Sequence, residues 1–236
     1  MNISGSGSLP GGDYGEDIRI SGSGSIKGSI SCTGLAISGS GHVYGEVNCH
    51  GAIRVSGSGR IDGAVHAADI QVSGSTHFDG PATVDGKMHV SGAAHITSLH
   101  CGELVSSGAL KATGDVSAET ITVRGAINSE GLINAENIDV EMGGDCYADA
   151  IGGSVILIRN GAVRGLLARL FKSAGSIFTV RTNIEGDDIT LSNVVADTVI
   201  GRNVRIGDGC RIRHVIYSEL INISEKAEVE LYEPSN

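Results

Sequence analysis

Aromatic residues are nearly missing from this chain, with no Trp, 3 Phe and 5 Tyr among 236 residues. A core built on aromatic packing is excluded, and so are most stacking platforms for single-stranded nucleic acid or sugar. Proline is as scarce, at 3 residues, and leaves no Pro-rich linker or tail. No apolar run approaches the length that spans a bilayer. The polar, Gly/Ser-rich start lacks the apolar stretch of a signal peptide. The 5 Cys contain no CxxC pair and are odd in number, which fits a reducing compartment better than a disulfide framework. The expected location is the cytoplasm. Excess positive charge is missing too: the net charge is -10, which argues against nonspecific nucleic-acid binding.

Glycine is abundant, at 36 residues, and 40% of the chain is hydrophobic. Glycine-rich disordered chains lack that apolar fraction, so a packed fold is expected. A repeat of 17 to 18 residues supplies it. The clear copies are Ile20-Ser-Gly-Ser-Gly-Ser-Ile26, Ile37-Ser-Gly-Ser-Gly-His-Val43, Val55-Ser-Gly-Ser-Gly-Arg-Ile61 and Val72-Ser-Gly-Ser-Thr-His-Phe78. Val90-Ser-Gly-Ala-Ala-His-Ile96 is a worn copy, and Ile3-Ser-Gly-Ser-Gly-Ser-Leu9 is the first. A fixed short period means a stacked solenoid.

Within one period the apolar residues fall in three groups, Ile20, Ile26, and Ile30 with Cys32, and Leu35 with Ile37 then open the next copy. Three short alternating segments per period predict an all-β fold, a parallel three-sided β-helix of about 12 coils. One domain is expected over 1–236, with regular coils over 3–158, an insertion over 159–181, C-terminal coils over 182–228 and a tail over 229–236. Gly28, Gly45, Gly63 and Gly80 form one column, at a corner that needs positive φ or has no room for Cβ. The Ser-Gly-Ser-Gly run is expected to form a second, looser corner. Val123, Val140 and Leu157 or Ile158 keep the spacing, and a bulge or short coil is expected near Val105.

Unpaired strand edges at the ends of a solenoid are templates for another chain. The first copy begins at Ile3 and leaves almost no room for a cap, so end-to-end association is expected. The expected polymer interface is Ile3, Leu9, Ile20, Ile206, Ile212 and Ile223.

The repeat breaks after Ile158 and resumes by Ile189, from which Ile206 and Ile223 follow at steps of 17. The intervening apolar residues Val163, Leu166, Leu167, Leu170, Phe171 and Ala174 lie at the spacing of one helical face. Arg164, Arg169 and Lys172 lie off it. Between Asp149 and Glu185 there is no acid but there are five bases: Arg159, Arg164, Arg169, Lys172 and Arg181. A short basic amphipathic helix is expected, either packed on the solenoid flank or in contact with an anionic membrane surface or another protein. The contact residues would be Val163, Arg164, Leu166, Leu167, Arg169, Leu170, Phe171 and Lys172.

No catalytic, cofactor or metal site is expected. His42, His77 and His95 share one repeat position with Arg60, which predicts an outward ladder; a metal site needs several converging ligands, so a solvated ladder is favoured. Cys32 and Cys49 stack on adjacent coils and read as core filler. Asp62, Asp79 and Asp85 look dispersed. Ile200, Ile206 and Ile212 are spaced by six, the pattern of left-handed β-helix hexapeptide acyltransferases. That is the alternative reading, with His214 as its base.

The Ser-Gly-Ser-Gly repeats, the corners at Tyr44-Gly45-Glu46 and Ile61-Asp62-Gly63, the Leu166-Leu-Ala-Arg-Leu-Phe-Lys-Ser173 segment and the stretch from Val199 to Glu219 together resemble the bactofilins. The long form, the polymer-forming cytoskeletal proteins of Gram-positive bacteria, is the nearer resemblance. It implies a right-handed three-sided β-helix that self-assembles end to end, without nucleotide, into non-polar filaments. It implies no enzymatic activity and no cofactor. The implied partners are further copies of the chain, a sister bactofilin and the anionic inner face of the cell membrane, with no nucleic acid. The implied role is a scaffold for cell shape, cell-wall or motility machinery. The chain departs from the short bactofilins in lacking Pro-rich tails, so residues 161–178 are the expected substitute for a tail-borne anchor.

Overall fold

A computed structural model describes residues 1–161 and 175–235. These residues form an all-β parallel solenoid of about 13 turns, close to the expected number. The chain divides into two compact units, Met1–Glu119 and Thr120–Asn236.

In the first unit each coil has three sides. Gly34–Ile37, Ser40–Val43 and the start of Val47–Val55 make one such turn. The pairings are parallel, with bulges such as that between Cys49 and Ala52, and one column stacks throughout: Ile3 lies on Ile20, Ile20 on Ile37, Ile37 on Val55, Val55 on Val72, Val72 on Val90 and Val90 on Ser106. The predicted inward residues Ile20, Ile26, Ile30, Cys32, Leu35 and Ile37 are all buried. The step shortens to 16 residues between Val90 and Ser106, which is the short coil expected near Val105.

Interior volume is shared between two neighbouring columns. The first runs from Ile20 through Ile37, Val55, Val72 and Val90 to Ser106. The second lies four residues on: Gly24, Gly41, Gly59, Thr76, Ala94 and Leu110. A Cβ on Gly24 would lie 2.8 Å from Ile20 Cγ2, and one on Gly41 2.9 Å from Ile37 Cγ2. As the first column shrinks from Ile through Val to Ser, the second grows from Gly to Leu. Close-packed interiors require that exchange.

The two corners differ from expectation in one respect. Along Gly45, Gly63 and Gly80 a Cβ would come within 2.7 Å or less of the preceding glycine's carbonyl carbon, as expected where space is lacking; Gly28 has φ +124°. The Ser-Gly-Ser-Gly corner is the tighter one, not the looser. A Cβ on Gly39, Gly57, Gly74, Gly92 or Gly108 would fall on the carbonyl oxygen of the equivalent glycine one coil below. The cause is hydrogen bonding that draws the coils together here. Ile37 O accepts from Ser56 N at 2.9 Å and Gly57 N at 3.2 Å, and Gly39 O accepts from Ser58 N at 2.8 Å.

In the second unit the strands run through the corners and are longer, as in Ala126–Met142, Cys146–Asn160 and Phe178–Leu191. Val140 stacks on Ile158 as expected. The register across the break differs: Ile156 lies on Ile189, Ile158 on Leu191, and Leu191 on Ile206. The coil step after the break is 15 residues at this column, so a step of 17 from Ile189 does not reach its true partner, Val204, while the next step, from Ile206 to Ile223, is the expected 17. Residues 159–160 and 178–181, at the margins of the expected insertion, are strand. The expected helix, with Val163, Arg164, Leu166, Leu167, Arg169, Leu170, Phe171 and Lys172, lies outside the described residues.

Candidate assembly surfaces and outward ladders

The first coil is laid down by Asn2–Ile3 on Asp17–Ile20 and by Ser6–Asp13 on Ser23–Cys32. Ile3 is buried, and Leu9 is half-buried in register with Ile26. The Met1 ammonium donates to Asp17 O at 2.7 Å and pairs with Glu16 at 3.0 Å. Pro10, opposite Lys27, has no N–H to offer a further strand. Ile20 lies one coil deeper and is wholly buried.

In the second unit Glu228–Pro234 pairs with Arg211–Ile223 over Arg211–Tyr217. Ile206 and Ile212 are interior, and Ile223 is half-buried on Ile206. Large apolar side chains are exposed nearby: Leu220 at 43%, Leu231 at 51% and Tyr232 at 58%. Tyr232 stacks on Val215, the last member of an interior column through Ile133, Ile151, Ile184 and Val199. Of the predicted interface residues, Ile3, Leu9 and Ile223 lie in the terminal coils, and Ile20, Ile206 and Ile212 support them from beneath. Spacing marked repeat positions but not which coil they occupied, so Leu220, Leu231 and Tyr232 were missed.

The outward ladder is as expected. Ser25, His42, Arg60, His77, His95 and Lys111 are successive register partners. Asp62 and Asp79, dispersed in the sequence, both meet Arg60: Asp62 Oδ1 accepts from Arg60 Nε at 3.1 Å, and Asp79 accepts from Nη2. Asp62 also meets His42 Nε2 at 2.8 Å. These bonds, His42 first and Arg60 with it, hold the Asp62 carboxyl below its ordinary value against some desolvation. The neighbouring rungs His77 and His95 face each other, with 2.6 Å between Nε2 and Nδ1.

The basic stretch around the break is partly neutralised by acids from the coil beneath. Arg159 Nη1 donates to Asp139 Oδ1 at 2.6 Å, and Arg181 is clamped by both oxygens of Asp149. Arg124 joins the first group at Asp139 Oδ2, and Glu141 lies within 3.6 Å of both arginines. Burial raises the Asp139 pKa, but the two arginines more than offset it and leave the carboxyl lowered. The partners sit 20 and 32 residues away, beyond any local charge window.

Cys32 stacks on Cys49, and all five cysteines are buried free thiols. The hydrogen bond to Cys49 and burial both push the Cys32 thiol up. The six-residue spacing at 200–212 does not mark equivalent positions. Val199 is the buried residue, while Ile200 faces outward, half-buried, beside Glu185, Gly201 and Arg202 in a groove of about 840 Å³. His214 Nε2 meets Glu233 Oε1 at 3.0 Å. Among the described residues no helix is long and apolar enough to cross a membrane.

Residues 3–83 match the family model of the bactofilins, described as polymer-forming cytoskeletal. The matched segment begins at Ile3 and holds every clear Ser-Gly-Ser-Gly copy, both glycine corners and the lower ladder rungs. The resemblance read from the repeat therefore stands over this segment. The chain is also similar to an uncharacterized protein, YhbE, of Bacillus subtilis strain 168, at 35% identity over 101 residues. That alignment spans 42% of this chain and 41% of YhbE. No solved structure gives a significant match. The bactofilin family is a structural, cytoskeletal one, and its description implies self-association.

Proposed function

We propose that this protein is a cytoskeletal scaffold subunit that polymerises through its terminal coils, without nucleotide. The match of residues 3–83 to a polymer-forming family supports self-assembly. The observation that carries the choice of surface is the exposure of Leu220, Leu231 and Tyr232 beside a filled interior column. Apolar side chains at a strand edge favour burial against another copy, and the backbone there is a template for pairing. Subunits are recruited by copies of the same chain or by a sister bactofilin, and the filament organises cell-shape, cell-wall or motility machinery.

Negative-stain electron microscopy and sedimentation of the full chain test this reading. Wild type forms filaments, and a Leu231→Asp/Tyr232→Asp variant stays small while its circular dichroism and melting curve match wild type. A wild-type protein that stays monomeric at high concentration overturns the proposal.

The second part of the proposal is membrane contact through Val163, Leu166, Leu167, Leu170 and Phe171, with Arg164, Arg169 and Lys172 beside anionic headgroups. It rests on sequence pattern alone. Co-sedimentation with vesicles containing anionic lipid separates wild type, which pellets, from Leu166→Asp/Phe171→Asp, which stays in solution. Equal pelleting of the two removes membrane contact and leaves the scaffold reading intact.

A further inference from the structure

His77 and His95 are adjacent rungs of the outward ladder in the first unit. Ser75–Phe78 and Ala93–Ile96 pair residue for residue without a bulge. The backbone therefore sets the two side chains about one strand spacing apart, ~4.8 Å. Nδ1 of His95 lies 2.6 Å from Nε2 of His77, with ring centroids 4.3 Å apart and planes at 73°. Two imidazole nitrogens facing each other at this distance share one hydrogen, one ring donating and the other accepting. The rungs below behave differently: His42 turns to Asp62, and Arg60 to Asp62 and Asp79.

We propose that His77 and His95 are a two-imidazole chelate for a divalent transition-metal ion of the Zn²⁺, Ni²⁺ or Cu²⁺ class. The ion takes the place of the shared hydrogen. Tetrahedral zinc–imidazole bonds of about 2.0–2.1 Å put two ligand nitrogens about 3.3 Å apart, so the two rings must swing apart from the observed 2.6 Å by side-chain rotation. The protons balance. The donating ring moves its hydrogen from the facing nitrogen to the other one, so both imidazoles stay neutral, each with one N–H, which is the ligating state. Imidazole is a good ligand for these three ions.

The surroundings set the strength of the site. Arg60 flanks His77, but its charge is engaged by Asp62 and Asp79. Lys111 flanks His95. Among the described residues no group of three or more His, Cys, Asp or Glu converges on one point. The remaining coordination positions therefore go to water or to a donor from outside this face, and affinity is on the order of micromolar rather than nanomolar. The rigid sheet holds both ligands in place before binding, which spares the cost of ordering them.

Calorimetric titration of the full chain with ZnCl2 and, separately, NiCl2 tests the proposal. Wild type, His77→Asn, His95→Asn and His66→Asn are compared, with circular dichroism to verify folding. Wild type is expected to show a saturable site for one ion per chain and a melting temperature that rises with metal. His77→Asn and His95→Asn each lose at least tenfold in affinity and the thermal shift, while His66→Asn keeps both. The proposal is overturned if either ladder variant binds as wild type does, or if wild type shows no saturable binding.

Discussion

Ile20 and Gly24 fill one volume between them: a Cβ on Gly24 would lie 2.8 Å from Ile20 Cγ2. The equivalent pair four coils on is Val90 with Ala94, and the next is Ser106 with Leu110. The core is conserved in volume along the stack, not in residue type. Ser106→Val is therefore expected to overpack its layer and destabilise the protein by about 1–3 kcal/mol. Adding Leu110→Ala returns most of that loss, so the double-mutant cycle from denaturant melts shows strong coupling. Additive effects would mean that the two positions do not share space.

Thr76 belongs to the same column, and its buried Oγ1 has no hydrogen-bond partner. Thr76→Val keeps the shape and removes a desolvated hydroxyl. The variant is expected to gain about 1 kcal/mol, read as a higher denaturation midpoint at unchanged slope.

The Ser-Gly corner predicts a contrast between two glycines that look alike in sequence. Gly57→Ala would place a Cβ 2.5 Å from the Ser38 carbonyl oxygen and against that of Gly39, whereas Gly5→Ala meets nothing within 4 Å. Backbone cannot rotate aside as a side chain does. Gly57→Ala is expected to cost at least about 1–3 kcal/mol and Gly5→Ala less than ~0.5 kcal/mol in the same melts.

Asp197 predicts an acid-side dependence in the second unit. Arg213 donates to both of its oxygens, at 2.5 and 2.7 Å. Arg213 first, then Thr198, hold the carboxyl down to about 2 from its ordinary 3.8. A depressed folded value stabilises the protein above the unfolded value, and the contribution is lost as pH falls from about 4 towards 2. The stability difference between wild type and Asp197→Asn should be flat above pH ~5 and shrink through that window. A difference independent of pH would contradict the pairing.

The thiols are expected to be silent in the native state. Cys32, Cys49, Cys101, Cys146 and Cys210 are at most 3% exposed. Burial, with Glu103 nearby, pushes the Cys101 thiol up to about 12. Ellman's reagent should find no reactive thiol in native protein and five in denaturant, at a native rate limited by unfolding.

The period alone determined the solenoid, its three sides and its inward residues, because strand alternation and a fixed coil length leave few ways to bury Ile20, Ile26, Ile30 and Leu35. It also determined the glycine column at Gly45, Gly63 and Gly80 and the order of the His42–Arg60–His77–His95 ladder, since each copy repeats the same offset. Tertiary structure decided everything that depends on distances between coils. It made the Ser-Gly corner the tight one, because two N–H donors converge on a single carbonyl there. It set Ile189 on Ile156 and under Val204 rather than Ile206, because the coil step after the break is 15 residues and no local pattern announces a shortened coil. It paired Arg159 with Asp139 and Arg181 with Asp149, and it turned His77 onto His95. A repeat specifies which residues stack; only the folded coils specify how closely, and the chemistry of this chain lies in that closeness.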